Sequence, residues 1–298
     1  MNAIEITGLG KEYAPGVGLH PMTLTVPTGE IFGFLGPNGA GKTTTIRTLL
    51  GFLRPSAGAA TILGHDVWTQ REAVHARVGY LPGEVHLRRE WTAGELLRRT
   101  AFLRGSVDTA YGVDVARRLE LDLTRRVGTL SKGNRQKVGL TVALMTRADM
   151  LILDEPTDGL DPLAQETVLE LLREAREEGR TVFLSSHVLT EVERVADRVG
   201  IIRAGDLIRV DDLSTLKASL PQRLSVRFAG PPRPDLTTLP GLSDVTVTGT
   251  ELRGLWRGTP DDLIRALSTE SLAAFSLTPS TLEDAFLDEY RSGGSHVA

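Results

Sequence analysis

The sequence predicts an α/β fold with a mostly parallel core sheet and a helical subdomain, followed by a small α+β domain. Three observations predict it. Over residues 1–210, short apolar runs of strand length alternate with segments of helical periodicity, the pattern of a parallel sheet flanked by helices. A glycine-rich loop separates one such run, Ile31–Leu35, from the helix after it. Near residue 220 the composition shifts: Gln222–Ala229 alternates, with Leu224, Val226 and Phe228 on one face, and Gly230–Pro234 is proline-rich. The predicted division is 1–215, with the helical subdomain at about 85–150, and 220–298.

In chain order, Glu30–Leu35 reads as a buried strand and Thr43–Phe52 as a helix, as does the amphipathic stretch Trp91–Leu103. Met150–Leu153 is too short to be a helix and is expected to be a central strand. The clearest helix is 162–178. Asp161 can cap it, Pro162 suits its first position, Gly179 suits its exit, and Val168, Leu171, Leu172 and Ala175 form one apolar stripe. Thr181–Leu184 is a further buried strand. After the shift come strands at Val245–Val247, Leu252–Trp256 and Leu272–Leu277, with helices at 235–239, Asp261–Leu267 and Thr281–Tyr290. That order, strand, helix, strand, strand, helix, strand, matches a split βαβ module.

The chain has 298 residues, 41% apolar and 24% charged, an ordinary globular composition. It lacks cysteine, which excludes disulfides, thiolate zinc sites and cysteine nucleophiles. No run of about eighteen apolar residues occurs, so no membrane-spanning helix is expected. Met1–Gly10 has no basic n-region or unbroken apolar stretch, against a secretory signal. A formal charge of −4 argues against general nucleic-acid binding. A cytoplasmic enzyme is expected.

The loop Gly36-Pro37-Asn38-Gly39-Ala40-Gly41-Lys42-Thr43 fits G-x-x-x-x-G-K-[ST] between a strand and a helix. Glycines let successive backbone N–H groups curl round phosphate oxygens, and the helix start adds a positive dipole end. Lys42 is expected to neutralise the β- and γ-phosphates and Thr43 to ligate Mg²⁺, with Thr44 beside them in the first turn. The strand Leu151–Asp154 ends in a carboxylate suited to Mg²⁺, and Glu155 next to it can orient or deprotonate water. Together these predict a Mg²⁺-dependent P-loop NTPase, and ATP as its nucleotide follows from the resemblance below.

The stretch Leu130-Ser131-Lys132-Gly133-Asn134-Arg135-Gln136 opens a further helix. Ser131 can cap it and Gly133 exposes backbone N–H groups, so this helix start can meet a second phosphate group. The segment resembles the signature of the ATP-binding-cassette family, usually Leu-Ser-Gly-Gly-Gln, with Ser131 and Gly133 retained and Lys132 and Asn134 as variants. Other elements match in order. Tyr13 stands where the family stacks an aromatic ring on adenine, Asp158-Gly-Leu-Asp161 resembles its D-loop, and His187 resembles its switch histidine. The family usually has a glutamine where this chain has Gly83, followed by Glu84; that glutamine contacts Mg²⁺ and couples nucleotide to the membrane partner.

The resemblance implies an ATPase subunit of a transporter, working as a head-to-tail dimer with a separate membrane permease. Each nucleotide would lie between one chain's phosphate loop and the other's Ser131, Gly133 and Asn134. Glu155 would position water, His187 would hold the γ-phosphate, and Lys42 with Mg²⁺ would stabilise the transition state. The segment at about 85–128 would be the permease-coupling surface, placing the chain at the inner face of the membrane. The tail, closing with Pro279-Ser-Thr-Leu-Glu-Asp-Ala-Phe-Leu, resembles bacterial drug- and antibiotic-export subunits. Against rival members of the superfamily, the chain has no sustained heptads and only one cassette.

Overall fold

A computed structural model describes residues 1–105, 107 and 109–279. The chain divides into two compact units, Met1–Leu213 and Ser214–Ala298. The first runs β1 (Asn2–Ala14), β2 (Val17–Pro27), β3 (Ile31–Leu35), α1 (Lys42–Leu49), β4 (Ala57–Ile62) and β5 (His65–Asp66). There follow α2 (Arg71–Arg77), β6 (Val78–Leu81), α3 (Ala93–Arg104), α4 (Thr109–Arg118) and α5 (Lys132–Met145). Then come β7 (Met150–Asp154), α6 (Pro162–Glu177), β8 (Thr181–Ser186), α7 (Leu189–Val192), β9 (Arg198–Arg203) and β10 (Asp206–Asp212).

Strand order in the main sheet is β10-β9-β3-β8-β7-β6, parallel throughout except for the antiparallel edge pair β10–β9. Strands β3, β7 and β8 are buried along their whole length, as a sheet covered on both faces requires. Phe183 stacks on Phe32 and lies tilted against Phe34, with ring centroids 5.6 and 5.4 Å away. Those rings join the core that Ile46 and Leu49 of α1 also enter.

A second sheet, order β2-β1-β4-β5, is antiparallel and was not expected from a reading of alternating strands and helices. Its inner face carries Ile4, Ile6, Met22, Leu24 and Val26, which bury into the same core. The helical segment keeps a smaller core of its own from Ala93, Ala116, Leu121, Leu130 and Val138. Helix boundaries follow their caps. Thr92 and Glu95 close a capping box on α3, and Asp161 accepts from Ala164 N with Pro162 in the first turn of α6. The first expected helix is shorter than read, ending at Leu49 rather than Phe52, because Gly51 turns with φ +65°.

Helix α8 (Leu213–Ser219) leads into the second unit. That unit holds β11 (Gln222–Phe228), β12 (Leu242–Thr248), β13 (Glu251–Trp256), α9 (Pro260–Leu267) and β14 (Leu272–Pro279). The sheet is antiparallel in the order β12-β13-β11-β14, so the two outer strands are not sequence neighbours. Leu224, Val226 and Phe228 lie on its buried face with Leu252, Trp256, Leu263 and Leu267. The helix expected at 235–239 is a single 3₁₀ turn, Pro234–Thr238. The helix expected at Thr281–Tyr290 lies outside the described residues.

Candidate functional site

Parallel pairing puts the C-terminal ends of neighbouring strands on one edge, where ligands bind α/β sheets. Leu35 pairs with Ser186, and Asp154 with Ser185, so the chain leaves β3, β7 and β8 side by side. The turns that follow bring Lys42, Thr43, Asp154, Glu155 and His187 together, although 145 positions separate the first from the last (187 minus 42).

The phosphate loop Gly36–Gly41 joins β3 to α1. Gly39 and Gly41 adopt φ +82° and +111°, a region L side chains avoid, and Gly41 caps α1 without a side chain. A Cβ on Gly36 would lie 2.3 Å from Ile202 O, so only glycine fits there. Pro37 O accepts from Ala40 N at 3.1 Å, which closes the loop. Asn38 is exposed and Ala40 buried, whereas Thr43 and Thr44 are half-buried in the first turn of α1. The Lys42 side chain is 6% exposed and folds back along the loop, donating to Gly36 O at 2.6 Å and Pro37 O at 3.2 Å.

Asp154, 1% exposed, receives two hydroxyls. Thr43 Oγ1 donates to its Oδ2 at 2.8 Å, and Ser185 Oγ donates to its Oδ1 at 2.6 Å. A hydroxyl and a carboxylate oxygen in contact are hard donors of the kind Mg²⁺ takes alongside substrate phosphates and waters. Among the described residues no cluster of three or more His, Cys, Asp or Glu side chains forms a closed cage. The donor set fits Mg²⁺ bound with a nucleotide.

Glu155 bends off β7 with φ +51°. Its Oε1 lies 3.2 Å from Lys42 Nζ and, although buried, accepts no hydrogen bond of ordinary geometry. Oε2 faces His187, at 2.9 Å from Nδ1 and 3.3 Å from the backbone N–H. The carboxylate is therefore clasped between the phosphate-loop ammonium and an imidazole.

Ser131 Oγ accepts from Asn134 N at 3.2 Å and caps α5. The first turns of that helix lie against the segment after Glu155: Lys132 Nζ is 2.6 Å from Asp158 Oδ2, and a Cβ on Gly133 would come within 2.6 Å of Gly159 O. The hydrogen bonds of Ser131 thus stay within α5. Tyr13, near the end of β1, is 57% exposed, with the Lys11 ammonium 5.5 Å from its ring centre. Gly83 lies directly against the Asp154 carboxylate, since a Cβ there would be 3.1 Å from Asp154 Oδ2. The Glu84 side chain is 88% exposed and faces His86 at 3.9 Å, not Asp154.

Two polar residues at this site had no role in the sequence reading. Ser185 bonds Asp154 and accepts from Glu155 N at 3.1 Å, while Gln136 donates to the carbonyls of Glu155 and Pro156 at 3.0 and 3.3 Å. A polar residue at the end of a buried strand was the available signal for Ser185. Gln136 had none, because its partners lie about twenty positions away.

A phosphate loop, a buried carboxylate and an adjoining acid at the carboxyl edge of a parallel sheet define a P-loop nucleoside triphosphatase. The family model described as "ABC transporter" matches residues 19–158. An uncharacterized ABC transporter ATP-binding protein of Synechocystis, sll0415, is 31% identical, with 98% of this chain and 86% of the relative covered. The bacitracin transport ATP-binding protein BcrA of Bacillus licheniformis is 36% identical over 72% of this chain and 71% of its own. A solved ATP-binding subunit of an ABC transporter superposes with TM-score 0.66 and 31% identity, covering 72% of this chain and 92% of that one. The chain belongs to the ABC transporter family, as one of its ATP-binding, ATP-hydrolysing subunits.

Proposed function

We propose that the chain is the motor of an exporter, closing on ATP as a head-to-tail pair and driving a separate membrane permease. The observation that carries the catalytic part is the clasp of Glu155 between Lys42 and His187. A carboxylate so placed at the mouth of the phosphate loop can orient water or take its proton, and His187 can hold the γ-phosphate side. Lys42 shifts its charge from Glu155 to the phosphates when nucleotide enters, and the backbone N–H groups of Gly39, Gly41, Lys42 and Thr43 serve the remaining oxygens. Mg²⁺, held by Thr43 and Asp154, would neutralise charge on the β- and γ-phosphate oxygens. Tyr13 is exposed and free to meet adenine.

Ser131, Gly133 and Asn134 begin α5 as a positive helix end, suited to the γ-phosphate held by the partner copy. Loss of that phosphate removes the attraction and opens the pair, a shift between two populations. Among the described residues no helix is long and apolar enough to cross a membrane. Phe102 and Leu103, 86% and 82% exposed at the end of α3, support this face as the permease contact at the inner membrane surface. A Nod factor export ATP-binding protein of Rhizobium meliloti, 33% identical over 96% of this chain and 87% of its own, supports export. Replacing Glu155 by Gln tests the reading: steady-state hydrolysis should fall at least about 100-fold with ATP binding retained, and unchanged hydrolysis overturns it.

A further inference from the structure

Glu155 adopts φ +51°, which a residue with a side chain seldom does. Such a conformation persists only where its surroundings over-determine it. On one side, Glu155 N donates to Ser185 O at 3.2 Å and to Ser185 Oγ at 3.1 Å. On the other, the Gln136 carboxamide, 4% exposed, donates to Glu155 O at 3.0 Å and to Pro156 O at 3.3 Å. No other side chain among the described hydrogen bonds spans the Glu155–Pro156 peptide in this way. It grips the main chain where the carboxylate is aimed.

Gln136 belongs to the second turn of α5, and the neighbouring turns face the same segment. Lys132 meets Asp158 at 2.6 Å, and Lys137 Nζ lies 3.7 Å from Asp161 Oδ2. Gly133 lies so close to Gly159 O that a Cβ would stand 2.6 Å from it. Residues 155–161 therefore rest along one face of residues 132–137. Exposed ion pairs such as Lys132–Asp158 contribute little rigidity, whereas a buried amide with two carbonyl acceptors cannot be released without leaving polar groups unpaired.

We propose that Gln136 is the positioning residue of Glu155, and that through it α5 ties the carboxylate of one nucleotide site to the helix start offered to the other. This rests on the reading of Glu155 as the base. A displacement of α5 as Ser131 and Gly133 engage a phosphate is transmitted to the Glu155 main chain, and the carboxylate shifts with it. A misplacement of one ångström at a catalytic group costs about 100-fold in rate.

The test is a double-mutant cycle in the full chain, with Gln136→Met and Glu155→Gln separately and together. Single-turnover ATP hydrolysis and binding of a fluorescent ATP analogue are measured for each. Gln136→Met should lower kcat by about 10–100-fold with nucleotide affinity within about twofold of the parent, a split that general damage to the fold would not produce. Added to Glu155→Gln, it should cost no more than about twofold further, because a residue acting through Glu155 has nothing left to position. An unchanged kcat, a loss confined to affinity, or an equal loss in both backgrounds overturns the proposal. If Gln136→Met does not fold, Gln136→Asn, which keeps the carboxamide and shortens its reach, is carried through the same cycle with the same criteria. Failure of the base reading is distinct, since Glu155→Gln alone would then leave hydrolysis intact.

Discussion

Lys42→Met should destabilise the nucleotide-free protein, and it should do so chiefly through Glu155. Lys42 is 6% exposed, and its ammonium stands 3.2 Å from Glu155 Oε1, an atom with no hydrogen bond of its own. At that separation and an effective dielectric near 20, Coulomb's law gives an attraction of about 5 kcal/mol, before the cost of desolvating both charges. Removing one partner of a buried pair leaves the other uncompensated, a loss of about 3–5 kcal/mol. Here His187 still faces Oε2 and Glu155 is 18% exposed, which places the loss at the lower end. Glu155→Gln should cost less, because the ammonium keeps Gly36 O and Pro37 O. The double variant should then be more stable than the sum of the two losses implies, by a coupling of about 2–3 kcal/mol. Urea denaturation of the four nucleotide-free proteins measures it. A coupling below about 0.5 kcal/mol would refute the pairing of these groups before nucleotide arrives.

Glu84→Ala should leave the Mg²⁺ concentration for half-maximal hydrolysis unchanged, because its carboxylate is exposed and directed at His86; a marked rise in that concentration would show that it serves the metal. Gly36→Ala should weaken ATP binding at least about tenfold in a fluorescent-nucleotide titration, since the added methyl meets Ile202 O at 2.3 Å and the loop must move. Asp161 is held below the usual carboxylate range, first by the Ala164 N–H it caps and further by Lys137. Its contribution to stability is present above its unfolded pKa of about 4 and is lost as pH falls through the lower folded value. Asp161→Asn should keep the cap and flatten that part of the acid limb in pH-dependent denaturation.

Much of the site is legible in the sequence because phosphate recognition is local. Backbone N–H groups between Asn38 and Thr43 must curl round one ligand, so the residues that permit the curl are contiguous. Asp154 and Glu155 are readable for a related reason: a buried strand that ends in two acids leaves them at the edge where ligands bind. The helix at Pro162–Glu177 announces itself through its cap and stripe. By contrast, β1 pairs with β4 across more than fifty positions, Ile4 opposite Ile62, and passes through several bulges. No local pattern states that register.

The sequence by itself determined the phosphate loop, the acid pair and the helix at Pro162–Glu177, since each depends on neighbours within a few residues. Only the tertiary structure decided that Ser185 donates to Asp154, that Glu84 points away from it, and that Gln136 grips the main chain behind Glu155. The Ser185–Asp154 and Gln136–Glu155 contacts join residues 31 and 19 positions apart. They depend on the register of parallel strands and on how α5 lies along residues 155–161, and both are set by packing of the core rather than by propensity.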